Sequence, residues 1–121
     1  TNDFKTFLVN FKRLNNIIKS NKLLDISNVK LNIHLFESSE EQEIYDKFKN
    51  LDINLKKYLT DQEHQGIILK EVINLNCVIH SFFEKIIVNH EDKKIKINRI
   101  KLLTELAERI LKFSNFHYIE N

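Results

Sequence analysis
Apolar side chains recur every three or four positions along most of this 121-residue chain, the period of helices with one buried face. Phe4, Phe7, Leu8, Phe11, Leu14, Ile17 and Ile18 predict an amphipathic helix over residues 3–19. On the same wheel Lys5, Lys12, Asn16 and Lys19 share a stripe away from the apolar face, with Arg13 further round the outside. Ser20-Asn21-Lys22 ends this helix, and Leu24 to Phe36 reads as an extended connector packed over the bundle. Val29, Leu31, Ile33 and Leu35 alternate as in a strand, but no second strand-like run exists to pair with them. Ser38-Ser39-Glu40-Glu41 has the layout of a capping box, in which the Ser38 hydroxyl accepts from the backbone N–H three residues on and Glu41 reaches back. Ile44, Phe48, Leu51 and Leu55 then line one face of a helix over residues 39–58.

Thr60-Asp61-Gln62-Glu63 repeats the capping layout and opens a stretch, Ile67 to Val88, that is apolar on nearly every side. A helix apolar all round is a buried one, so this element is expected at the centre, broken in two near Asn74 and Asn76. Burial of Phe82 and Phe83 would each contribute on the order of 2–3 kcal/mol. After the polar turn Asn89-His90-Glu91-Asp92, a last helix is expected over residues 92–113, with Ile100, Leu103, Leu106, Ala107 and Ile110 inward. Lys94, Lys101 and Lys112 point outward and Asn98 sits toward an edge, whereas Arg99 falls on the inner face. A guanidinium there keeps its charge and needs a carboxylate. The expected fold is all-α, a bundle of about five helices forming one domain over residues 1–121.

Composition narrows the chemistry. With no proline and one glycine, Gly66, the chain lacks a Gly-rich phosphate loop and the turn residues of an all-β fold. No apolar run approaches the roughly 18 residues of a membrane span. The single cysteine, Cys77, cannot form an internal disulfide, which suits a reducing cytoplasm. The absence of methionine is expected of a piece cut from a longer chain. A net charge of +2 is too small to argue for nucleic acid, but its distribution is uneven. Residues 1–30 carry six bases and two acids, residues 31–90 six and ten, residues 91–121 seven and five. A fold that brings the first and last helices together would therefore build a positive face.

Cys77-x-x-His80 has a spacing a metal could use, but no second cysteine exists and His34, His64, His90 and His117 are scattered. Neither a zinc site nor a Cys-His nucleophile is supported. Glu40, Glu41, Glu43 and Asp46 are explained by helix-start electrostatics rather than by acid–base catalysis. What remains is binding through helices, to nucleic acid or to a protein partner.

Several motifs resemble one family. Phe82-Phe83-Glu84, Val88-Asn89 with acids after it, and Asn98-Arg99-Ile100-Lys101-Leu102-Leu103 are similar to the C-terminal end of the β subunit of bacterial-type glycyl-tRNA synthetase. Phe11-Lys12-Arg13-Leu14-Asn15-Asn16-Ile17, and Leu35-Phe36 ahead of an acidic helix start, fit the same pattern. His80 and Asn115 stand where that family tends to carry acids. The resemblance implies an anticodon-binding domain like those of class I-type synthetases, here the C-terminal fragment of a longer β subunit.

It implies a cytoplasmic protein whose partners are tRNA-Gly and a catalytic α subunit in an α2β2 assembly, with no membrane or DNA partner. The whole enzyme would join glycine to its tRNA with ATP and Mg2+, while this fragment would hold no cofactor or metal and catalyse nothing. Its tRNA contacts would be Lys5, Lys12, Arg13, Asn16, Lys19, Lys94, Asn98 and Lys101. Lysine and arginine would meet phosphates, and asparagine, with a donor and an acceptor, could read cytosine edges. Glu84 is then the candidate carboxylate for Arg99, which is either structural or an RNA contact. The alternatives are a non-enzymatic helical interaction module and the equivalent domain of an arginyl-type synthetase.

Overall fold
A computed structural model describes residues 2–58 and 65–120. Among these are four α-helices: α1 (Asn2–Ser20), α2 (Ser39–Tyr58), α3 (Gln65–Lys85) and α4 (Lys93–Glu120), with one 3-10 turn at Ile33–Leu35. The all-α expectation holds, with four helices where about five were expected. The difference lies at Asn74 and Asn76, where α3 continues unbroken. Neither amide breaks the helix: Asn74 is exposed, and the Asn76 side-chain oxygen accepts a hydrogen bond from the Asn10 amide of α1. The second capping layout, Thr60 to Glu63, lies outside the described residues.

α2 starts where its cap predicts. The Glu41 N–H donates to the Ser38 hydroxyl at 3.3 Å, while Glu41 Oε1 accepts from that hydroxyl at 2.9 Å and from the Glu37 N–H at 3.0 Å. α3 is amphipathic rather than apolar all round. Val72, Leu75, Ile79 and Phe82 are buried, but Asn74, Cys77, His80 and Glu84 form an exposed stripe, and the helix stops at Lys85 so that Ile87 stands out in solvent. α4 supplies four side chains with no exposed surface, Leu102, Leu103, Leu106 and Ile110.

Cross-helix contacts give the directions. Asn10 meets Asn76 and Arg13 lies over Phe83, so α1 and α3 run parallel. Glu41 meets Arg99 and Asp52 meets Arg109, so α2 and α4 also run parallel. α1 and α2 each pack against both α3 and α4, placing α1 and α4 side by side in an up-down-up-down arrangement. The C-terminal half of α1 and the N-terminal turns of α2 and α4 therefore share one end of the bundle. Between α1 and α2 the connector crosses the outer face of α4, with Leu24, Ile26, Leu31 and Phe36 packed inward. No strand forms among the described residues, and Ile33, expected inside by alternation, is exposed in the 3-10 turn. No helix among the described residues is long and apolar enough to cross a membrane.

Candidate nucleic-acid interface
Lys5, Lys12, Asn16 and Lys19 are all exposed on the face of α1 opposite the core, as their spacing predicts. Among the described residues no carboxylate pairs with Lys12 or Lys19. Arg13 is also exposed, but its guanidinium lies 4.5 Å from the Phe83 ring centroid, so its stem and plane are committed to α3. The helix leaves its last carbonyls beside Lys19, which complements the dipole without consuming the charge.

The predicted contacts on α4 fare differently. Lys94 is exposed and edges a shallow cleft with Val29, Lys30, Leu35 and Ile97. Lys101 does not point outward freely: its ammonium pairs with Glu105 at 3.3 Å and lies 3.5 Å from the Ile26 carbonyl oxygen of the overlying connector. Asn98, expected at an edge as a base reader, is 2 % exposed and already satisfied. Its oxygen accepts from the Asn32 N–H at 2.8 Å and its amide donates to the Asn32 carbonyl at 2.9 Å. Both functional groups that would read a base are spent clamping the connector onto α4.

Arg99 lies inward, as the wheel places it, but not with Glu84. Its guanidinium donates to the Ile87 carbonyl at 2.9 Å, to Glu37 at 3.0 Å and to Glu41 at 3.3 Å. Glu84 sits on the exposed face of α3, 3.8 Å from His80 one turn back. A carboxylate on that face cannot reach the interior, whereas Glu41 falls on the apolar stripe of α2 in step with Ile44, Phe48 and Leu51. An acid at a core-facing position was the sequence signal for Arg99's partner. His90 extends the cluster, with Nε2 3.5 Å from Glu37 and Nδ1 accepting from the Asp92 N–H at 2.9 Å.

A second ion cluster was not foreseen. Arg109 donates to both Asp52 oxygens at 2.9 and 3.1 Å, pairs with Glu105, and covers the Phe48 ring at 4.8 Å. Burial raises the Glu105 carboxyl, but hydrogen bonds and charge from Arg109 and then Lys101 outweigh it and hold the group below its ordinary value. Burial likewise works to lower Arg109, and Asp52 and Glu105 overcome it, so its affinity for the proton rises.

The chain matches the model of the DALR anticodon binding domain over residues 7–114. It is 35 % identical over 106 residues to the glycine–tRNA ligase β subunit of Thermodesulfovibrio yellowstonii, covering 88 % of this chain and 15 % of that one. It is 29 % identical over 108 residues to the Buchnera aphidicola β subunit, covering 89 % and 15 %. For the Pseudoalteromonas atlantica β subunit the identity is 30 % over 100 residues, covering 83 % and 14 %. The chain thus spans about 15 % of the length of the curated relatives it matches. With the family model running from the first buried turn of α1 into the last turns of α4, the chain belongs to the DALR anticodon-binding domain family.

Proposed function
We propose that this chain binds the anticodon arm of tRNA within a glycine–tRNA ligase β subunit, and that its exposed lysines hold the phosphate backbone. The observation that carries this reading is the exposed stripe of Lys5, Lys12 and Lys19, without a carboxylate partner among the described residues, on a domain whose family model is an anticodon-binding one. Surface cations without carboxylate partners are what counterion-releasing contact with RNA requires. The relatives are glycine rather than arginine ligases by name, which favours tRNA-Gly over the arginyl-type alternative.

We infer further that the catalytic step belongs to a separate α subunit in an α2β2 assembly in the cytoplasm. ATP and magnesium would act there. Among the described residues no group of three His, Cys, Asp or Glu side chains converges as metal ligands, and no step is assigned to them in this chain.

Filter binding of tRNA-Gly to this chain at increasing salt tests the proposal. Binding should fall steeply with salt, and Lys12→Glu with Lys19→Glu should weaken it by about tenfold or more while leaving the helical circular dichroism unchanged. Unaltered affinity in the double variant would overturn the proposed face. Equal affinity for tRNAs with replaced anticodon cytosines would assign the domain to holding the arm rather than reading it.

A further inference from the structure
Lys30 of the connector stands between two depressions on the flank where the connector meets α2 and α4. On one side an open groove of about 320 Å³ is walled by Leu31, by Tyr45 and Lys49 of α2, and by Lys101 and Arg109 of α4. On the other, a cleft of about 220 Å³ has an apolar floor of Leu35 and Ile97 and is edged by Lys94. Val29 and Lys30 line both. The groove reaches the lower end of the roughly 300–1,000 Å³ of small-ligand clefts, and the cleft is smaller, room for one base each rather than for a large ligand.

The charges in the two depressions are unevenly matched. Glu105 lines the groove but is occupied by Lys101 and Arg109, and Arg109 also holds Asp52. Beside the cleft, the Asp92 carboxylate accepts from the Lys94 backbone N–H at 2.9 Å. The ammonium groups of Lys30, Lys49 and Lys94 have no carboxylate partner among the described residues, and all three are exposed. Lys49 instead lies 5.9 Å from the Tyr45 ring centroid, and that half-buried ring is fixed edge-on by Phe36 and Phe48.

We propose that a single-stranded RNA segment crosses this ridge, its phosphate on Lys30, one nucleotide in the groove against Tyr45 and its neighbour in the cleft beside Lys94. This rests on the RNA-binding reading above and extends it to a site none of whose groove residues except Lys101 was expected to touch RNA. The chemistry alternates as a splayed strand does: a rigid aromatic wall and an apolar floor for bases, with cations between and at either side for phosphates. A duplex cannot insert bases into separate depressions. An acidic peptide would use the cations but leaves the aromatic wall and apolar floor unexplained.

Fluorescence anisotropy with a labelled oligocytidine hexanucleotide tests the site, with tRNA-Gly filter binding measured in parallel. Lys30→Glu and Lys49→Glu should each weaken hexanucleotide binding by about tenfold, whereas Lys47→Glu, on the opposite flank of α2, should change it by less than about twofold. Hexanucleotide carrying 5-iodocytidine should photocrosslink to Tyr45. Equal losses for Lys47→Glu and Lys49→Glu, full competition by polyglutamate of matched charge, or crosslinks only on α1 would overturn the site. If tRNA still binds and depends on Lys12 and Lys19 in that case, the anticodon-arm proposal survives without the groove. Absence of tRNA binding at low salt would remove both.

Discussion
Arg99 of α4 and Glu41 of α2 meet at 3.3 Å in the interior, with side chains 5 % and 0 % exposed. The pair joins the N-terminal turns of two parallel helices, and through Glu37 and the Ile87 carbonyl it also holds the end of the connector and the α3–α4 turn. Glu41 Oε2 and Arg99 Nε are buried without a hydrogen-bond partner among the described residues.

Removing one member of this pair leaves the other charged and buried. Arg99→Met, which strands the buried Glu41, should cost about 3–5 kcal/mol of unfolding free energy, and Glu41→Gln less because Glu37 still pairs with Arg99, measured by urea denaturation. A double-mutant cycle between them should show coupling above about 1 kcal/mol. Glu84→Gln should change stability by less than about 0.5 kcal/mol, as expected for an exposed side chain. A large coupling between Arg99 and Glu84 would contradict the observed network.

Asn98 predicts a different signature. Asn98→Ala removes both hydrogen bonds to Asn32 and leaves a shielded backbone pair to find new partners, at about 1–3 kcal/mol. The effect should concentrate in the connector: amide exchange at Asn32 and Ile33 should accelerate more than in the core of α4. Were Asn98 a base reader instead, its loss would weaken tRNA binding with stability unchanged.

These two neighbours show what the chain reveals before it is folded and what it conceals. Helical spacing places Arg99 inward on α4 and Lys12 outward on α1 because each orientation is set within a single helix. The Ser38–Glu41 cap likewise sets the start of α2 from four adjacent residues. Partner choice is another matter, because Asn98 meets Asn32 and Arg99 meets Glu37 across a connector whose path no local pattern dictates. That path also turns Lys101 from an outward cation into one covered by the Ile26 carbonyl. Asn76 misleads for a related reason: it suggests a helix break locally, yet its amide is used across the interface with Asn10.

The Asn10–Asn76 contact gives a third test. Asn10 is buried, so Asn10→Ala alone should cost about 1–2 kcal/mol by stranding the Asn76 oxygen. Replacing both with leucine should be nearly neutral or stabilising, since two buried polar groups are then removed together. Helix content should stay constant in every variant, because α3 does not depend on this pair to remain continuous.

Acid should weaken the bundle partly through Glu105. Its carboxyl is held below the ordinary value in the fold, so the unfolded chain takes up the proton first as pH falls. The contribution is complete above the unfolded carboxylate value near 4.5 and is lost as pH drops through the lowered folded value. Glu105→Gln should therefore be less stable than the parent at neutral pH, and the difference should shrink as pH falls below the unfolded value near 4.5. A constant difference across that range, followed by thermal denaturation, would show that Lys101 and Arg109 do not bind the charged form preferentially.

Arg13 separates electrostatic contact with RNA from packing. Its position over Phe83 makes reversal to glutamate a mixed perturbation, unlike reversal at Lys12. Arg13→Lys preserves the charge but loses the planar stack, and should lower stability by about 0.5–1 kcal/mol with a tRNA salt slope unchanged. Arg13→Gln should lose both, reducing that slope by about one if the guanidinium also meets a phosphate. A slope unaltered by Arg13→Gln would make Arg13 solely a clamp between α1 and α3, leaving phosphate contact on α1 to the lysines.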